Sequence, residues 1–154
     1  MQQTNLISRG VRASLFCSVM ALAAPALAAD PSLDSAVSAA RQWASMSDSG
    51  ATDKMWGASS DIMKQRIDKQ GWADYLSQLR TEVGRYTGRE WVQVVRVTDP
   101  VDLPQGQYVN VIFTTQFLNM PATETVSMVA NKNRWVPMGY VVRKIAANAQ
   151  PAMQ

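Results

Sequence analysis

The chain has 154 residues, 15 Lys and Arg against 12 Asp and Glu, a single cysteine and no histidine. Lacking imidazole, and with Cys17 as its one thiol, it has the parts for neither a Ser-His-Asp triad, nor a Cys-His pair, nor a zinc site of the usual ligands. No GxxxxGK[ST] or GxGxxG run marks a phosphate or dinucleotide loop, so the sequence calls for no metal and no cofactor.

Arg9 and Arg12 precede an unbroken apolar and small run from Ala13 to Ala24, and Pro25-Ala26-Leu27-Ala28 closes on a small-x-small pattern. This is the pattern of a secretory signal peptide over residues 1–28, cut after Ala28 or Ala29. The run is roughly a dozen residues, well short of the about 20 needed to span a bilayer. The expectation is therefore an exported protein, periplasmic or secreted, with no membrane span in its mature form. Ser14-Leu15-Phe16 before Cys17 is not the small-residue context of a lipoprotein cleavage site, so no lipid anchor is expected. Two of the basic side chains leave with this segment, which reduces the net charge from +3 to about +1. That charge gives no footing for nucleic acid. The remaining roughly 125 residues make one ordinary domain, residues 29–145, with a small polar tail over 146–154.

Asp30-Pro31 reads as an N-cap followed by proline at the first helical position. Leu33, Val37, Ala40 and Ala44, widened by Ala36 and Trp43, then recur at helical spacing to about Ser47, where Ser47-Asp48-Ser49-Gly50 makes a turn. Met55, Trp56 and Ala58 belong to a second helical stretch from near Thr52, interrupted at Ser59-Ser60-Asp61 and resumed by Ile62, Met63, Arg66 and Ile67. The pattern predicts two short helices or one broken helix. Asp68 caps a firmer helix from Lys69 to Val83, with Trp72, Tyr75, Leu76, Leu79 and Val83 on its inner stripe, Arg80 at the stripe's edge and Gly84 ending it.

From Arg85 the period changes to two. Strands are predicted over Glu90–Thr98, Val109–Phe117, Thr123–Ala130 and Trp135–Ile145, with a loop over Val101–Gly106, a turn over Leu118–Ala122 and a tight hairpin at Asn131–Arg134. Pro137 and Gly139 suggest a bulge or an edge in the last strand, and an exposed fourth strand could serve as a homodimer edge. Helices first and strands afterwards give an α+β fold, with the N-terminal helices packed on one face of a four-stranded antiparallel sheet. The five tryptophans, Trp43, Trp56, Trp72, Trp91 and Trp135, each sit beside apolar neighbours in separate elements and are expected in the core.

This order is similar to the cystatin-like or NTF2-like α+β cone. The chain more specifically resembles DUF4019, a family of small exported bacterial proteins of uncharacterised function. The resemblance is carried by Trp43, Trp56, Ala58-Ser59 and Trp72, by Arg80 with Gly84 and Arg89, by Leu103-Pro104-x-Gly106-x-Tyr108 and Phe117, and by Glu124-Thr125, Trp135 and Gly139-Tyr140. Asn131-Lys132-Asn133 departs from the acidic-Gly hairpin of the pattern, and Pro137 interrupts the last strand. The resemblance implies a fold and a compartment and brings no activity with it.

Glu124 is the residue out of place. With Phe117 opposite Glu124, and Ala130 opposite Trp135 across a Lys132-Asn133 turn, one sheet face would carry Phe113, Phe117, Glu124, Val126, Met128, Val141 and Arg143. An ionised carboxylate there needs a partner. Arg143 is the nearest candidate as a diagonal cross-strand neighbour, and Arg80 is the second. Three roles are open to such a residue. It could form a structural ion pair between helix and sheet. It could line a small-ligand pocket with Arg143, Arg80, Tyr108 and Tyr140. It could act as the general base of a cofactor-independent lyase or isomerase, as in some enzymes of NTF2-like type. The leading functional expectation is a non-enzymatic module that binds a small molecule or a protein partner, and the alternative is the lyase or isomerase.

Overall fold

The computed structural model describes residues 31–98 and 100–145. The expected signal peptide and C-terminal tail lie outside them. Helix α1 (Leu33–Asp48) starts two residues later than the Asp30-Pro31 pattern indicated, because Ser32 is the cap: its hydroxyl accepts from the Ser35 N–H at 3.2 Å. Ala36, Ala40, Trp43 and Ala44 form its buried face. The interrupted second stretch resolves into two short helices, α2 (Thr52–Gly57) and α3 (Asp61–Arg66), the latter capped by Ser60. Helix α4 (Lys69–Val83) has the expected ends. Asp68 accepts from the Gly71 N–H at 2.7 Å, and Gly84 closes the helix at φ 80° with its N–H on the Arg80 carbonyl.

Strands β1 (Tyr86–Val97), β2 (Tyr108–Phe117), β3 (Pro121–Asn131) and β4 (Arg134–Lys144) form one antiparallel sheet in chain order. The helices pack on one face of it. Val109, Val111, Phe113, Val126, Met128, Trp135 and Tyr140 meet Trp43, Met55, Met63, Trp72 and Leu76 in a single core. Helix layer and sheet are also pinned by hydrogen bonds at their margins, from Trp135 Nε1 to the Ser32 carbonyl at 2.9 Å and from the Ser60 N–H to the Pro137 carbonyl at 2.8 Å. Residues of alternate parity, Tyr108, Val129, Val136 and Met138, make a smaller cluster with Val97 and Leu103. No helix among the described residues is long and apolar enough to cross a membrane.

Two register findings decide what surrounds Glu124. Glu124 lies opposite Phe113, not Phe117. The offset of four residues is even, so the expected face is preserved. On the other side, Met128 pairs with Pro137 but Ser127 pairs with Gly139, which leaves Met138 without a partner. This bulge moves β4 by one residue. Glu124 therefore sits opposite Val142, and Val126 opposite Tyr140. The expectation that Val141 and Arg143 share the Glu124 face is thus corrected: both lie on the other face and are exposed. Trp91 is a second correction. It lies on edge strand β1 and is 52 % exposed rather than in the core.

Candidate functional site

Arg89 on β1 pairs with Thr115 on β2, and Phe113, two residues earlier, pairs with Glu124 on β3. The pleat thus sends Arg89, Thr115 and Glu124 to the helix-covered face, and the β4 bulge brings Tyr140 to the same place. Glu124 is 0 % exposed. Its Oε2 accepts from Arg89 Nε and from the Thr115 hydroxyl; its Oε1 accepts from Arg89 Nη2 at 3.0 Å and from the Tyr140 hydroxyl. Each carboxylate oxygen is therefore engaged by two protein donors, which is how a buried charge is made tolerable.

Arg89 continues the network outward. Its Nη1 and Nη2 donate to Asp48 at the end of α1, at 2.8 and 3.2 Å. Its guanidinium lies 4.8 Å from the Tyr86 ring centroid and 6.0 Å from that of Phe113. Burial alone would weaken its hold on the proton, but the hydrogen bonds and charges of Glu124 and Asp48 outweigh that and hold its pKa above the usual arginine value. Tyr140 is pushed far above the ordinary tyrosine range by burial, and then by the charge of Glu124 and the hydrogen bond to it. It stays protonated and donates.

The space around this carboxylate is filled. Trp43 meets Tyr140 edge-on at 5.8 Å and stacks with Trp72 at 5.7 Å, and Phe113 is wholly buried beneath. An opening lies one layer outward, between α1 and β1. The cleft there measures about 640 Å³ and is lined by Ser38, Arg41, Gln42, Ser45 and Asp48 of α1, its C-cap Ser49, and Tyr86 and Arg89 of β1; ligand sites are ordinarily about 300–1,000 Å³. The Asp48–Arg89 ion pair forms its inner wall.

Of the residues singled out in the sequence, Glu124 and Tyr140 are in direct contact. Arg80 stands one step away: its Nη2 donates to the Ser47 carbonyl at 2.6 Å and lies 4.0 Å from Asp48. Arg143 is exposed on the other face, across from Thr123. Tyr108 belongs to the second cluster, where its hydroxyl donates to the Pro104 carbonyl at 2.6 Å. The partners that sequence reasoning missed are Arg89 and Asp48. Arg89 was visible only as part of the family pattern, because β1 was expected to begin at Glu90; Asp48 read as a turn residue. Thr115 was placed on the correct face without a role.

Chemically, a carboxylate whose lone pairs are all directed at Arg, Thr and Tyr donors is a junction rather than a free base. The cleft beyond it offers hydroxyls, an amide and the guanidinium of Arg41.

Neither a curated protein nor a solved structure matches this chain. A family model described as a protein of unknown function (DUF4019) matches residues 39–140, a stretch that holds Asp48, Arg89, Thr115, Glu124 and Tyr140 together. The chain belongs to the DUF4019 family.

Proposed function

We propose that the protein is a non-enzymatic binding module whose ligand or partner docks in the cleft between α1 and β1, with the Asp48–Arg89–Glu124 network as the scaffold that holds its inner wall. The observation that carries this reading is the contrast between a sealed Glu124, 0 % exposed, and an open cleft of about 640 Å³ beside the same arginine. The alternative, a lyase or isomerase with Glu124 as base, is disfavoured by the same contrast. A substrate would have to displace Arg89, Thr115 or Tyr140 to reach the carboxylate.

The test is a thermal-shift screen of the protein against metabolite and peptide classes, followed by mapping of hits with backbone amide NMR. Hits that are not consumed and that move amides of residues 38–49 and 86–89 support the module. Turnover of a hit that disappears in Glu124→Gln while the fold persists would overturn it in favour of the enzyme.

We also propose that the protein is exported, on the strength of Arg9, Arg12, the Ala13–Ala24 run and the small residues at Ala26 and Ala28. Intact-mass measurement of the protein from a bacterial host should show a species that begins at Ala29 or Asp30. A mature species retaining Met1 contradicts export by cleavage.

A further inference from the structure

Two guanidinium groups lie near the buried Phe113 ring, and only one of them is paired with carboxylates. Arg89, at 6.0 Å from the ring centroid, has carboxylates on both sides. Arg41, at 5.6 Å from it, donates through Nη1 to the Arg89 carbonyl at 3.3 Å. Among the described residues no carboxylate comes within 4.0 Å of Arg41. An exposed arginine ordinarily sweeps a wide volume, because its long side chain has several free rotors. Here an aromatic face and a backbone carbonyl hold the head in place, and most of its N–H donors remain unused. The same cleft wall carries Ser38 and Ser45, one helical turn to either side of Arg41 on α1. The Ser45 hydroxyl donates to the Gln42 carbonyl and keeps its oxygen as an acceptor. Tyr86 stands on the opposite wall and presents an aromatic ring.

A fixed, uncompensated guanidinium between hydroxyls, in a cleft of ligand size, is built for a planar oxyanion. A carboxylate can accept two parallel N–H bonds from such a fork. We infer that the α1–β1 cleft binds a small organic carboxylate, with its head on Arg41, its polar atoms near Ser38 and Ser45, and its apolar or aromatic part toward Tyr86. This inference rests on the binding-module reading and gives it a ligand class.

The experiment is an NMR titration of the protein with hippurate, with its neutral counterpart hippuramide, and with inorganic phosphate, following backbone amides and the Arg41 Nε–H signal. Hippurate should produce saturable shifts of Arg41 Nε–H and of amides around residues 38–49 and 86–89. Hippuramide should bind about tenfold or more weakly, as expected for loss of a charge-assisted contact. Arg41→Gln should lose hippurate binding to a similar degree at an unchanged melting temperature, and Arg85→Gln, an exposed arginine that does not line the cleft, should keep it. Equal responses to hippurate and hippuramide would overturn the carboxylate inference while leaving the cleft as a binding site. Phosphate binding more tightly than hippurate, hippurate binding retained in Arg41→Gln, or no saturable shift with hippurate would each overturn it. In that last case the screen of metabolites and peptides still decides separately whether the cleft binds anything.

Discussion

Tyr140 and Arg143 are three residues apart on β4, and charge alone favours Arg143 as the partner of Glu124. The bulge gives that place to Tyr140, whose hydroxyl donates to Oε1, and sends Arg143 to solvent. The two residues therefore separate in a stability measurement. Tyr140→Phe leaves one acceptor position of a buried carboxylate without its donor and should cost about 1–3 kcal/mol. Arg143→Ala should stay within about 0.5 kcal/mol of wild type, as a surface substitution away from any network does. Urea unfolding of both variants gives the comparison; the reverse ranking would restore Arg143 as the partner.

Among the elements, what was legible in the sequence is what is local. Asp68 and Gly84 mark both ends of α4, because a cap is chemistry within a few residues. The Asn131–Arg134 hairpin reads the same way, and Lys132 takes the left-handed conformation at φ 58°. What was not legible is non-local. Pro137 and Gly139 announce an irregularity, but only pairing against β3 shows that Met138 is the unpaired residue, and one residue of slip exchanges the faces of Tyr140 and Arg143. Arg89 escaped for a related reason: Gly88 and the polar run before it hide the start of β1. Trp91 looked like core because its neighbours are apolar, yet an edge strand lacks a second neighbouring strand to cover it.

The turn between β2 and β3 shows a further non-local dependence. The Asn119 N–H donates to the Val83 carbonyl at 3.0 Å and its Nδ2 to the Glu82 carbonyl at 3.1 Å, so a residue of the β2–β3 turn satisfies the last carbonyls of α4. A Cβ on Gly84 would lie 2.9 Å from the Asn119 side chain, at a backbone φ of 80°. Gly84→Ala should accordingly lower stability by about 1–3 kcal/mol, from backbone strain and from displacement of that cap together. A melting temperature equal to wild type would show that the turn yields without cost.

Across the whole molecule, the core is organised around a polar centre. One connected set of hydrogen bonds runs from Asp48 on α1 through Arg89 on β1 to Glu124 on β3, with Thr115 of β2 and Tyr140 of β4 attached. Every strand and the first helix contribute to it, so its failure should be felt globally. Its alkaline limit follows from Tyr140. Above about pH 10 the unfolded chain releases the tyrosine proton while the folded chain retains it. The unfolded state then binds fewer protons, and stability falls as pH rises, by up to about 1.4 kcal/mol per pH unit from this residue. Tyr140→Phe should flatten that part of the decline. Denaturant midpoints measured between pH 9 and pH 11 check it.

The central claim is that Glu124 and Arg89 close the core as a unit and leave binding to the cleft outside. The double-mutant cycle of Arg89→Met, Glu124→Met and the pair, followed by urea unfolding at neutral pH, tests it most directly. Arg89→Met orphans the buried Glu124 carboxylate, whereas Glu124→Met leaves Arg89 with Asp48 as its remaining carboxylate. Arg89→Met alone should cost about 3–5 kcal/mol, and the double variant should be more stable than the sum of the single losses by at least about 2 kcal/mol. Losses that add to within about 0.5 kcal/mol would contradict the claim, because two residues that add do not act as one.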